Sequence, residues 1–240
     1  MSYLNTRPLI YGFEQGMMAE DIELSFDYPA KIASKLLDQQ IDIGLVPVAI
    51  IPALHESHII GDHCIAADGE VYSVCLFSEV PLHEIETVLL DYQSRTSVEL
   101  VKILMKEHWK ISPAYVAAPE GFEKNIKGKT AGLVIGDRAI GLHGHCKYVY
   151  DLGAAWKEMT GLPFVFAAWV SNRKIDEKFT TAFNTANAFG LAHLSEVIKK
   201  IPVSNFDLLN YYTRHISYVL DGPKRKGLNL FLKMISQNAV

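Results

Sequence analysis

Residues 94–97 read Ser-Arg-Thr-Ser, three hydroxyls and one guanidinium in four consecutive positions. They follow the short apolar run 88–90 and Asp91, and they open a stretch in which Val98, Val101, Leu104, Met105 and Trp109 recur at spacings of three and four. That period lines one face of a helix. A strand feeding such a helix brings free backbone N–H groups, the positive end of the helix dipole and Arg95 to one small volume, which suits a carboxylate or a phosphate. Ordinary N-capping by Ser94 or Thr96 uses the same residues. Both readings are open on the local pattern.

Three other places carry polar groups where chemistry is done. Ser2-Tyr3-Leu4-Asn5-Thr6-Arg7-Pro8 sets hydrogen-bonding side chains and a cation beside a proline. Asn5 can face a substrate there, or hold a turn through its own backbone. Ser73 lies inside an apolar run, so its hydroxyl needs a backbone or ligand partner. No G-x-S-x-G elbow surrounds it, which argues against a serine nucleophile of that kind. Gly136-Asp137 follows the apolar run 131–135, at the strand end where open α/β sheets place ligand contacts; Asp137 equally suits a helix cap. His143-Gly144-His145-Cys146 is the one metal-like cluster, but a zinc site needs a second pair of ligands nearby and none follows. It reads as a flexible surface loop. Walker, G-x-G-x-x-G and H-E-x-x-H motifs are missing from the sequence, so no cofactor and no metal are expected.

The elements that must position these groups alternate between apolar runs and amphipathic stretches, the pattern of an α/β fold with largely parallel sheets. Pro29 opens a helix whose apolar face is Ala30, Ala33, Leu36 and Leu37. Strands are expected at 41–46, ended by Pro47, at 71–77, buried on both faces, and at 131–135 and 164–170. From Asp176 onward the pattern is wholly helical, with one helix marked by Phe179, Phe183, Ala186 and Leu194 and two more at 208–220 and 228–235. No repeat and no linker divides the chain. Two domains without a linker imply a discontinuous arrangement, with crossings near 79–86 and 162–172.

At 240 residues, 49% hydrophobic and 21% charged, the chain has the composition of an ordinary globular protein. A net charge of −4 with dispersed cations gives no reason to expect a nucleic acid or a membrane surface as partner. The tightest basic cluster, Lys224, Arg225 and Lys226, follows Gly222-Pro223 and reads as a solvated turn. Three scattered cysteines (Cys64, Cys75, Cys146) make no disulfide framework. The first residues lack the basic and apolar regions of a signal peptide, and no apolar run is long enough to span a bilayer. A cytoplasmic protein is expected; its oligomeric state is not legible.

Several stretches together resemble one family, the chorismate dehydratase of the futalosine route to menaquinone. They are Ser2-Tyr3-Leu4-Asn5-Thr6-Arg7-Pro8, Ile41-Asp42-Ile43-Gly44-Leu45-Val46-Pro47-Val48, Ser73-Val74-Cys75-Leu76-Phe77-Ser78 and Ser94-Arg95-Thr96-Ser97. Ile135-Gly136-Asp137, Tyr150-Asp151-Leu152-Gly153, Thr160-Gly161-Leu162-Pro163-Phe164 and the tail from Tyr211 to Tyr218 continue the match in order along nearly the whole chain. The resemblance implies a two-lobed fold like the type II periplasmic binding proteins, each lobe a mixed sheet flanked by helices. Lobe 1 is then 1–80 plus 172–240, lobe 2 is 81–171, and a ligand cleft lies between them. Family members carry a few β-forming residues ahead of the Ser-Tyr-Leu-Asn motif; this sequence begins almost on it, so the first strand is expected to be short or partly missing.

The implied reaction is a carbon–oxygen lysis, the loss of water from chorismate to give 3-[(1-carboxyvinyl)oxy]benzoate. Chorismate carries two carboxylates, which gives the Ser94–Ser97 turn a natural ligand. Ser94, Arg95, Thr96 and Ser97 are expected to anchor one carboxylate, with Arg95 alternatively bracing the loop. Ser73 and Gly136 add contacts, Asn5 sits against the reacting ring, and Asp137 is a candidate base beside a carboxylate of the substrate itself. The competing readings are a non-catalytic receptor for a small carboxylate and the related naphthoate-forming enzyme of the same pathway.

Overall fold

The computed structural model describes residues 3–202 and 206–238. In chain order its main elements are α1 (Arg7–Glu14), α2 (Pro29–Leu37), β1 (Ile43–Pro47), β2 (His58–Ala67), β3 (Val74–Ser78), β4 (Thr87–Asp91), α3 (Thr96–Ile103), β5 (Ala114–Ala118) and β6 (Thr130–Ile135). They continue as α4 (Asp137–Leu142), β7 (Tyr148–Asp151), α5 (Leu152–Thr160), β8 (Phe164–Ser171), α6 (Glu177–Ala192), α7 (Leu194–Lys199), α8 (Leu208–Asn210), β9 (Ser217–Val219) and α9 (Gly222–Asn238). Prolines in the first turns of α1 and α2 start helices where the missing N–H costs nothing. Asp176 caps α6 by accepting from the Phe179 N–H at 2.8 Å.

The strands form two sheets. One has the order β1-β8-β2-β9, and the other β5-β4-β6-β3-β7. The first sheet draws its strands from both ends of the chain and the second from the middle. The exchange points differ from the expected boundaries: β3 belongs to the second sheet rather than to a lobe of 1–80, and β8 to the first rather than to a lobe of 81–171. The chain therefore changes sheets between Ala67 and Val74 and again between Asp151 and Phe164.

Largely parallel pairing is not found. Parallel neighbours are β4 with β5 and β4 with β6; β3 runs antiparallel to β6 and β7, and β8 antiparallel to β1 and β2. A strand arriving from the other sheet enters against the direction of its neighbours, and an alternation of strands with helices does not encode that reversal. The expected helix at 208–220 is also replaced. Only Leu208–Asn210 is α-helical; a π turn follows at Tyr211–His215, and Ser217–Val219 pairs with the edge of β2. The helix beginning after Asp176 stops at Ala192, and α7 starts anew at Leu194. The strand expected at 71–77 begins only at Val74.

Residues 71–73 form the first crossing. Tyr72 has φ +65° and the Ser73 N–H donates to the Val71 carbonyl at 2.7 Å, a tight γ-turn on a bulky residue. Such a turn persists only when its surroundings over-determine it. The Asp151 carboxylate does so, accepting from the N–H groups of Tyr72 at 2.7 Å and Val71 at 3.1 Å while capping α5 through the Ala154 N–H at 2.9 Å. His143 stacks on the Tyr72 ring at 3.9 Å, with Nε2 2.8 Å from the Tyr72 carbonyl. The His143–Cys146 loop is thus packed against the crossing at its first residue, not free on the surface.

Trp156 of α5 meets Phe164 of β8 edge-on at 5.1 Å, and Phe231 of α9 meets the same Phe164 at 5.0 Å, which joins the two sheets through one aromatic cluster. On the other side of the first sheet α1 crosses α6 at Gly12 and Gly190. A Cβ at Gly190 would strike the Pro8 carbonyl, and one at Gly12 the Ala186 carbonyl. This approach fixes the N-terminal segment that precedes α1. Gly190→Ala is expected to lower stability by about 1–3 kcal/mol, the usual cost of overpacking, in urea unfolding; an unchanged midpoint would show that the two helices are free to move apart.

Candidate active site

A cavity of about 850 Å³ lies between the sheets, within the range of small-ligand sites. One end is polar, lined by Tyr3, Asn5, Thr6, Ser94, Thr96 and Ser97 with Gly136. The other is an arm walled by Ile43, Leu45, Phe166, Trp169 and Phe183 and by the irregular segment 22–27. Among the described residues β1 pairs only with β8, so it forms one edge of the first sheet. Ser2 lies outside the described residues, and in the described segment directly ahead of Asn5 there is no strand: Leu4–Thr6 is a 3-10 turn that leads into α1.

The polar end is built on Asp91, the last residue of β4, whose side chain is fully buried. It accepts from the N–H groups of Gln93 at 2.9 Å and Ile135 at 3.1 Å and pairs with Arg138 at 2.6 Å. Arg138 also holds Glu123 at 2.7 Å. The ends of β4 and β6 and the start of α4 are thereby locked together. Burial raises the Asp91 carboxyl above its ordinary range, and Arg138 opposes that rise.

Within the turn, Ser94 Oγ accepts from the Ser97 N–H at 3.1 Å, and Thr96 Oγ1 accepts from the Ala49 N–H at 3.2 Å. Capping and lining the cavity are therefore combined in the same residues. Arg95 stands apart: its guanidinium donates to Ser34 Oγ at 3.0 Å on α2, and it is not among the cavity-lining residues. It braces the loop across to the first sheet.

The N-terminal segment closes the site from the other side. The Tyr3 hydroxyl donates to Gln93 Oε1, and burial, with the Asp91 charge adding to it, pushes its pKa up to about 12. The Tyr3 ring lies where a Cβ on Gly136 would fall, and Gly136 has φ +65° and ψ −146°. Glycine is required there on both counts. The Leu4 N–H donates to Asp137 Oδ1 at 3.0 Å. Asp137 is exposed and is not among the residues lining the cavity; its demonstrable task is to tie the two segments.

Ser73 is fully buried and also lies off the wall. Its Oγ accepts from the Tyr211 hydroxyl at 2.7 Å, and it reaches the Val71 carbonyl at 3.4 Å. Of the residues singled out from sequence, Asn5, Ser94, Thr96, Ser97 and Gly136 share the polar end, whereas Ser73, Arg95 and Asp137 stand behind or beside it. Tyr3, Thr6, Asp91, Arg138 and Tyr211 were not singled out. Tyr3 and Thr6 had a signal, since they flank Asn5 in the same motif. Asp91 stands in view at the strand end leading to the 94–97 turn, but its pairing with Arg138 spans 47 positions and no local pattern announces it.

The charged residues on the cavity wall, among them Lys35, Asp42, Arg173 and Asp176, come from 21–42 and 173–176, away from the polar end. The polar end offers hydroxyls, an amide and a helix start. Such an arrangement suits an anion and developing negative charge, and it has no side chain of its own that titrates at neutral pH. Among the described residues no group of three or more His, Cys, Asp or Glu is arranged to hold a metal ion.

Two lobes built on separate sheets, with a cavity between them, define a periplasmic-binding-protein type II-like fold. Solved structures share it: protein AF1704 from Archaeoglobus fulgidus superposes with a TM-score of 0.74 at 13% identity, over 99% of this chain and 95% of that one. The periplasmic aliphatic sulphonate binding protein SsuA from Escherichia coli superposes with a TM-score of 0.62 at 14% identity, over 98% and 84%. The chain belongs to the menaquinone biosynthesis family, whose family model matches residues 1–237. It is also 30% identical to the chorismate dehydratase of Thermus thermophilus, over 97% of this chain and 92% of that protein.

Arg138→Met leaves the Asp91 carboxylate buried without its cation, and a loss of about 3–5 kcal/mol is expected in chemical unfolding at neutral pH. A carboxyl whose folded pKa is raised holds its proton more tightly folded than unfolded. The deficit should therefore narrow as pH falls from neutral toward the ordinary carboxyl range. A deficit independent of pH would place the cost elsewhere than on Asp91.

Proposed function

We propose that this protein is a chorismate dehydratase, a hydro-lyase converting chorismate to 3-[(1-carboxyvinyl)oxy]benzoate and water in menaquinone biosynthesis. The observation that carries this reading is the uncharged polar end at a helix start, in a chain related to the Thermus thermophilus enzyme. In the reaction a proton leaves the ring carbon bearing the ether, and hydroxide leaves its neighbour. The ring becomes aromatic, so the change is downhill. What the protein must supply is orientation, exclusion of water and stabilisation of charge.

Under this reading one carboxylate of chorismate sits against Ser94, Thr96, Ser97 and the first N–H groups of α3, with no basic side chain at that end to compete for it. Asn5 stands opposite and donates to the ring's leaving hydroxyl. The base follows from what the polar end lacks. Asp137 Oδ1 is committed to the Leu4 N–H and the residue lies off the wall, so the proton passes to a carboxylate of the substrate. The cleft's part is to bring that carboxylate and the ring hydrogen together.

Incubation with chorismate should yield an aromatic product, identified by mass and absorbance. Asn5→Ala should lower kcat/KM by about a hundredfold, as loss of a charge-stabilising donor does, and Thr96→Ala by about tenfold, each with folding verified by circular dichroism. Near-normal rates in both variants would remove these residues from the site. Chorismate bound tightly but recovered unchanged would favour a receptor for small carboxylates.

A further inference from the structure

The chain passes between the two sheets twice, and the two crossings are stitched to each other. Asp151 ends β7, where the second crossing begins, and its carboxylate accepts from the first. The Tyr72 N–H lies 2.7 Å from Oδ2, and the Val71 N–H lies 3.1 Å from each oxygen. Two further contacts follow the same seam. Lys157 Nζ reaches Asp68 Oδ1 at 2.6 Å. Gly153 lies so close to the first crossing that a Cβ there would strike the Gly69 carbonyl and crowd Val71.

Of these contacts, the carboxylate is the one that holds a backbone conformation. Tyr72 has φ +65°, which a residue with a Cβ resists. With the Ser73 N–H turned back to the Val71 carbonyl at 2.7 Å, the Ser73 carbonyl faces β6 and accepts from the Gly136 N–H at 2.8 Å. That bond continues the β3–β6 ladder one position beyond the Val74–Ile135 pair. Gly136 lines the polar end of the cavity, and Val71 and Val74, on either side of the turn, line the cavity as well. Asp151 thus reaches the wall through backbone hydrogen bonds without standing on it.

Asp91, the other carboxylate behind the site, is met by Arg138. Asp151 is met by N–H groups: those of Val71 and Tyr72, and that of Ala154 at 2.9 Å in the first turn of α5, whose dipole also favours a negative charge. Desolvation raises its carboxyl above the ordinary range, and these N–H groups oppose the rise. The arrangement needs an acceptor on both oxygens. An amide in place of the carboxylate can still cap α5 with its oxygen, but its NH2 then faces the Tyr72 N–H, donor against donor.

We propose that Asp151 is a positioning residue for the candidate active site: by holding Tyr72 in its turn it sets the Ser73 carbonyl, which fixes Gly136 on the cavity wall. Its effect on turnover rests on the dehydratase reading; its effect on Gly136 does not.

Two substitutions at this seam separate positioning from bulk stability, because their effects should cancel. Asp151→Asn removes the acceptor that the Tyr72 turn needs, and by NMR the Gly136 amide should exchange with water about tenfold faster than in the unaltered protein. Tyr72→Gly removes the cost of a positive φ, so the double variant should bring Gly136 exchange back to within about twofold of the unaltered protein. A carboxylate that served stability alone would give the opposite result. Tyr72→Gly also removes the ring stacked on His143, and the two losses would then add. With chorismate, Asp151→Asn should lower kcat/KM by about tenfold, and the double variant should regain most of it. Gly136 exchange unchanged in Asp151→Asn, or no slower in the double variant than in the single one, overturns the proposal. If Asp151→Asn does not fold by itself, a folded double variant with a protected Gly136 amide supports the proposal, and an unfolded one overturns it. If the unaltered protein leaves chorismate intact, the dehydratase reading fails while Gly136 exchange still decides this one.

Discussion

The buried carboxylate of Asp91 is the point on which the site depends. Where β4 ends, water is excluded and the backbone N–H groups of Gln93 and Ile135 must find acceptors. Asp91 supplies them, and Arg138 makes the buried charge tolerable. From that contact the rest follows in short steps. Gln93 is held, so it receives the Tyr3 hydroxyl. Tyr3 lies over Gly136 and brings Asn5 to the wall opposite Ser94 and Thr96. A strand end, a helix start and the N-terminal segment are thereby set against each other by side chains that touch no ligand.

A second buried carboxylate, Asp151, performs a similar task at the crossing between the sheets. It accepts from the N–H groups of a turn that Tyr72 would otherwise resist. The two acids act at separate joints: Asp91 fixes the loop that carries the Ser94, Thr96 and Ser97 hydroxyls, and Asp151 fixes the chain leading to Ser73. Neither is on the cavity wall. The charges that organise the polar end stand behind it, and that end of the cavity is neutral and rich in donors. For a substrate with two carboxylates such a face binds without neutralising either group, so one of them remains basic enough to take a proton. That combination is what the proposed dehydration needs.

Much of this was legible in the sequence where the physical signal is local. The helix opened by Pro29 and the strands at 43–47, 130–135 and 164–171 follow from proline position and unbroken apolar runs. The turn at 94–97 was legible because hydroxyls and a helical period meet there. Strand direction was not, since an antiparallel neighbour arriving from the other sheet has the same composition as a parallel one. The π turn at 211–215 and the strand after it were read as helix because aromatic residues suit either state until the edge of β2 decides. Arg95 was left between the ligand and bracing the loop, and Ser73 was given to the ligand on its residue type and the resemblance. Their partners, Ser34 and Tyr211, lie 61 and 138 positions away, and no pattern in the chain announces contacts at that distance.

The central claim is that one carboxylate of the substrate rests on the neutral start of α3, between the sheets, with Asn5 across from it. A crystal structure with 3-[(1-carboxyvinyl)oxy]benzoate bound tests this most directly. The account predicts a carboxylate within hydrogen-bonding distance of Thr96 or Ser97 and the ring against Asn5. A ligand whose carboxylates instead pair with Arg173 or Lys35, leaving the turn at 94–97 in contact only with water, would contradict it.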